Sequence, residues 1–154
     1  MKSSIFILAL IFLFGTPKLF AQDTDDEYPV LDNTFTEENL STLIVTCYVC
    51  HNPRIKSHEN IIAPPLVAVK YLYNMRFPSK ESFTNKMTEF VLNPNNEKSI
   101  MQGAVMKFGV MPDMPLDAMQ VRRIVEYIYS NEIEEPVWFP AYFEERHAIK
   151  WQGQ

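Results

Sequence analysis

Five consecutive residues, Cys47-Tyr48-Val49-Cys50-His51, constrain this chain more than any other stretch, and they hold the only two cysteines among its 154 residues. Two cysteines three apart sit about one helical turn apart on one side of the backbone. C-x-x-C-H is the pattern that attaches a c-type haem: the thiols bond the two vinyl groups along one porphyrin edge, and the adjoining imidazole takes one face of the iron. By chance, at average composition, a chain of this length would contain the pattern on the order of once in a thousand cases. The motif therefore predicts one covalently attached haem, held by Cys47 and Cys50, with His51 on the iron.

Other uses of a cysteine pair have to be weighed beside it. A thioredoxin-like redox pair would sit in a βαβ pattern, and none surrounds these residues. Half a zinc site would need a second Cys/His pair at ligand spacing, whereas His58 and His147 stand singly. A structural disulfide is open to any exported chain.

Export is what the first 21 residues predict. Lys2 supplies a positive start, residues 5–14 are apolar without interruption, and Ala21 offers a small residue before a cut. An uncleaved anchor is the alternative, although the apolar run is short for a membrane span. Loss of the segment would remove two lysines and no acid, taking the net charge from −5 to −7. That charge argues against nucleic acid and anionic lipid as partners and favours a protein partner with a basic docking surface.

Residues 22–35, with Asp23, Asp25, Asp26 and Glu27, read as an acidic, flexible lead-in. Thr36 can then cap a helix whose apolar face is Leu40, Leu43, Ile44 and Cys47, which places the first cysteine at the end of a buried stripe. Residues 52–65 read as a loop closing on Ala63-Pro64-Pro65, and 66–74 as a short helix. Ser79 caps a longer helix to about residue 92, with Phe83, Met87, Phe90 and Val91 on one face. Residues 100–115 read as a methionine-rich loop containing Gly103 and Gly109. Asp117 begins the last strong helix and pairs with Gln120 as a capping box. Val121, Ile124, Val125 and Ile128 are its core face, and Arg122, Arg123 and Glu126 its wet face. No segment alternates as a strand would, so the chain is expected to be all-α.

Met101, Met106, Met111 and Met114 share the segment before that helix. Methionines more often fill cores than bind metals. A loop between rigid helices, however, can present one thioether at a fixed depth, and Met111-Pro112 and Met114-Pro115 are stiffened by the prolines.

Taken together, CYVCH after a capped helix, then APPL, then FGVMP before a helix ending in VEYIY resembles a class I cytochrome c over roughly residues 36–130. The resemblance implies a cytochrome c fold, a small helical domain wrapped around one haem. It implies His51 and Met111 as axial iron ligands, with Met114 the alternative and Met106 third. It also implies that the Pro64 carbonyl accepts a hydrogen bond from the axial histidine, and that Ile124 and Tyr127 pack against the first helix near Leu43. Two positions depart from the family: Asn39 stands where it often has a small residue, and Ala63 where it usually has glycine. The implied function is that of an exported, periplasmic single-electron carrier rather than an enzyme, or alternatively of a haem-bearing relay subunit in a larger redox complex. Residues 131–154 extend beyond the family core, and their aromatic residues read as packing over their own domain. His58 and His147 read as exposed.

Overall fold

The computed structural model describes residues 37–154, so the signal segment, the acidic lead-in and the Thr36 cap lie outside the described residues. The described chain forms six α-helices and one 3₁₀ turn, and among the described residues there is no strand. All-α is therefore the fold class. The helices are α1 Glu37–Thr46, α2 Leu66–Arg76, α3 Lys80–Leu92, α4 Gln102–Phe108, α5 Ala118–Ser130 and α6 Phe139–His147, with the 3₁₀ turn at His58–Asn60. Among the described residues no helix is long and apolar enough to cross a membrane.

Local chemistry sets several boundaries. Ser79 Oγ accepts from the Ser82 amide at 3.2 Å and starts α3, and Asp117 Oδ1 accepts from the Gln120 amide at 2.8 Å and starts α5. Helix α5 carries the core: Val121, Ile124, Val125 and Ile128 are each at most 3 % exposed and face α1 and α3. Leu43 of α1 and Phe83 of α3, both at 0 %, complete that core.

Three expectations fail here. Residues 100–115 are not one loop, because α4 occupies 102–108 and is closed by Gly109, whose φ of 81° suits glycine and whose amide bonds back to the Val105 carbonyl at 2.8 Å. Ile44 is 39 % exposed, since α1 packs along α5 through Leu43 and Leu40 and one seam leaves the neighbouring helical position outside. Arg122 and Glu126 do not both face water. They pair at 3.3 Å with side-chain exposures of 25 % and 17 %, and Arg122 also donates to Asn85 of α3 at 2.9 Å.

The aromatic tail folds onto the helices before it. Phe139, Phe143 and Trp151 are buried with Val67 of α2 in a second apolar cluster, against which Tyr71 packs. Lys70, only 5 % exposed, donates from Nζ to the Asn131 carbonyl at 2.6 Å and to Gln154 Oε1 at 3.3 Å. Residues 37–154 belong to a single compact unit that includes the tail.

Candidate functional site

The hydrogen-bond ladder of α1 continues into the cysteine motif. The Cys47 amide bonds to the Leu43 carbonyl at 2.8 Å, and the Cys50 and His51 amides bond to the Cys47 carbonyl at 3.2 and 2.9 Å. The motif is thus wound as one further turn. Its spacing puts Cys47 and Cys50 on the same side, toward a cleft, while Tyr48 is buried and Val49 stands 68 % exposed.

His51 is fixed by a contact thirteen residues away: its Nδ1 donates to the Pro64 carbonyl at 2.6 Å. For Nδ1 to donate it must carry the ring proton, which leaves Nε2 with a free lone pair, the form in which imidazole binds a metal. Burial pulls the His51 pKa below the ordinary 6.5 against the opposing pull of the Pro64 bond, so the ring is neutral at physiological pH. The next residue, Pro65, is the N-cap of α2, so a two-proline hinge sets the carbonyl that orients His51.

The cleft is bounded by the motif, α2, α3, α4, the segment before α5, and α5 itself. Counted out to its open mouth, with the solvent there included, it encloses ≈ 1320 Å³ of non-atom space. Its wall is apolar. Of all the side chains lining it none is Asp, Glu, Lys or Arg.

Met111 and Met114 both line this cleft and are half-buried, in the stretch between Gly109 and the Asp117 cap. A tight bond from the Leu116 amide to the Met114 carbonyl at 2.8 Å folds that stretch just ahead of α5. Met106 does not belong to the site: it is 84 % exposed on the outer side of α4 and does not line the cleft. The helical turn of α4, which sequence reading missed, is what rotates it away. Met101, the N-cap residue of α4, lines the cleft instead. His58 and His147 are both absent from the lining.

His58 is also less free than the sequence indicates. Its ring stacks on Tyr142 at 4.1 Å, meets Trp138 edge-on at 5.4 Å, and Lys107 Nζ lies 3.2 Å from its Nε2. Trp138 Nε1 donates to the Ile55 carbonyl at 2.8 Å, and Arg54 pairs with Glu134 at 3.1 Å. The tail therefore holds the 52–58 loop that follows His51. The Arg54 pair is exposed and contributes little, so the half-buried rings and the indole bond carry this clasp. No spacing rule could have found it, since its partners lie tens of residues apart.

Burial, and next to it the neighbouring Cys50, pushes the Cys47 thiol up to about 11. That is the opposite of the lowered pKa of a reactive redox thiolate. Among the described residues no group of three or more His, Cys, Asp and Glu is arranged to hold a metal ion by itself. The donor set does fit a haem: two thiols one turn apart, an oriented imidazole with Nε2 free, thioethers within the same cleft, and an uncharged apolar wall for the porphyrin.

Compared with known protein families, with curated proteins and with solved structures, the chain gives no match. Any functional reading stands on the site itself.

Proposed function

We propose that this chain is an exported monohaem c-type cytochrome with a cytochrome c fold, carrying single electrons between redox proteins. The observation that carries the proposal is the meeting of Cys47, Cys50, His51 and Met111 in one apolar cleft, with His51 turned by Pro64 so that Nε2 is free. Bound there, a haem supplies one-electron exchange at its iron. The chain's own residues do the rest. Cys47 and Cys50 tether the porphyrin edge, and the Pro64 carbonyl holds the ring orientation of His51 and raises its basicity as a ligand. Met111, in the same cleft, would offer a thioether to the iron, which would favour the reduced metal relative to a second imidazole. His51 and Met111 would together leave the iron no place for a substrate, so electron transfer rather than bond chemistry is the proposed activity. The helix that leads into the motif packs on α5, and Leu43 and Ile124 share one buried cluster, an arrangement in keeping with the proposed fold.

The net charge of −7 after removal of the signal segment points to a partner with a basic surface. The relay-subunit alternative needs the aromatic tail as a docking element. Burial of Phe139, Phe143 and Trp151 within their own domain favours the free carrier.

The test is absorption spectroscopy on the purified chain made with haem-attachment machinery. Haem should remain on the denatured polypeptide and be lost from Cys47→Ser/Cys50→Ser. The ferric protein should show the weak red band of iron–methionine ligation, and Met111→Ala should abolish it. Persistence of that band in Met111→Ala refutes the ligand assignment, and a chain that takes up no covalent haem refutes the function.

A further inference from the structure

The walls of the cleft are not equally fastened. The principal helix pairings are α3 on α5, α1 on α5, and α2 on both α3 and α5, and α4 enters none of them. No residue of α4 is buried, yet Ala104, Val105 and Phe108 line the cleft. An element that walls a cavity without entering the core belongs to the low-stability end of a structure, where local opening is cheap. At its start α4 is tied to the segment just before it, through Gln102 Nε2 to the Asn96 and Ser99 carbonyls, both at 2.9 Å. At its end Gly109 turns the backbone away.

One bond carries α4 to a distant part of the chain. Lys107 Nζ donates to His58 Nε2 at 3.2 Å, across 49 positions. An ammonium has no lone pair to offer, so Nε2 must accept, and the bond exists while the His58 ring is neutral with its proton on Nδ1. His58 is the anchored partner: its ring stacks on Tyr142 and meets Trp138, whose indole in turn holds the Ile55 carbonyl. The charged groups around it are Lys107 from α4, Arg146 from α6 and Glu59 from its own 3₁₀ turn. Burial and the two cations pull the imidazole below the ordinary 6.5, and Glu59 pulls the other way. We propose that Lys107 and His58 form a pH-sensitive latch that fastens α4 as a lid on the cleft. Above the folded His58 value the ring accepts and the lid is held. Below it a proton from solvent occupies Nε2, the acceptor is lost, and two cations face each other where the bond was. The tail keeps His58 in place, so α4 is the part released, and acid opens one apolar wall of the cleft. This inference does not depend on what the cleft holds.

The experiment is amide hydrogen exchange on the chain as purified from cells, between about pH 7.5 and pH 5 and corrected for the intrinsic pH dependence of exchange. In wild type the amides of residues 105–109 should exchange through an opening in which α3 and α5 stay protected. Their protection should fall about fivefold across that range, the worth of one hydrogen bond of this kind. His58→Gln keeps a neutral acceptor within reach of Lys107 and should abolish the fall. Lys107→Met leaves the stacked His58 ring intact and should show near pH 7.5 the low protection that wild type reaches near pH 5. Protection of α4 that is lost only together with that of α5 overturns the lid. A wild-type α4 indifferent to pH, a fall that persists in His58→Gln, or a Lys107→Met chain indistinguishable from wild type near pH 7.5 overturns the latch.

Discussion

If the tail belongs to the core, shaving one of its rings should weaken the whole molecule. Phe143 is 5 % exposed and lies with its ring 4.8 Å from Trp151, 5.0 Å from Tyr71 and 5.9 Å from Phe139. Phe143→Ala opens a cavity among these neighbours, and a buried phenylalanine truncated in this way costs about 3–5 kcal/mol. Domains of this size have only about 5–15 kcal/mol of stability, so the loss is a large share. In guanidinium chloride it corresponds to a midpoint lower by about 1 M. The chain has two tryptophans, Trp138 and Trp151, and both lie in the tail. Their fluorescence therefore reports the tail, while far-UV ellipticity reports all the helices. The two transitions should coincide in wild type and move down together in the variant. A loss below about 1 kcal/mol, or a fluorescence transition that precedes the ellipticity change, would show a detachable appendage and refute the argument.

Two further outcomes follow from local geometry. Asp117→Ala removes the acceptor for the Gln120 amide and should lower stability by about 1 kcal/mol in the same denaturation assay, with Asp117→Asn largely restoring it. Burial, and then Lys107, holds the His58 imidazole below the ordinary 6.5, so folding favours its neutral form. The stability it contributes is present above pH 6.5 and is lost as pH falls through the folded value. Thermal melts between about pH 7 and pH 5 should show that loss in wild type and a flatter acid limb in His58→Gln; identical limbs would dismiss the Lys107 contact as inconsequential.

The parts of this fold legible in the sequence are those written locally. Ser79 and Asp117 are caps whose acceptors reach only three residues ahead, and the α5 stripe repeats with the helical period, so both could be read without knowing the rest. The His51 motif and Pro64 were legible as residue types, and their contact came from a resemblance rather than from spacing. Helix α4 was hidden because Gly103 and Gly109 look like loop punctuation. Gly109 is in fact its C-terminal stop, a role that Ala-Val-Met-Lys-Phe just before it hinted at. The burial of Tyr73, the pairing of Lys70 with the Asn131 carbonyl and the stacking of His58 on Tyr142 left no sequence trace. Each depends on which distant elements meet, and that is set by packing rather than by periodicity.

The clasp on the 52–58 loop also has a kinetic consequence. Arg54 and Glu134 are 80 positions apart, and Trp138 reaches back 83 positions to Ile55. Contacts of such separation require closure of long loops, which slows their formation relative to the turns of α1 or α5. During folding the tail is expected to dock late, onto a chain whose helices have begun to form. Its slowest-formed contacts would then set the moment at which the 52–58 loop is fixed, after the turns on either side of it.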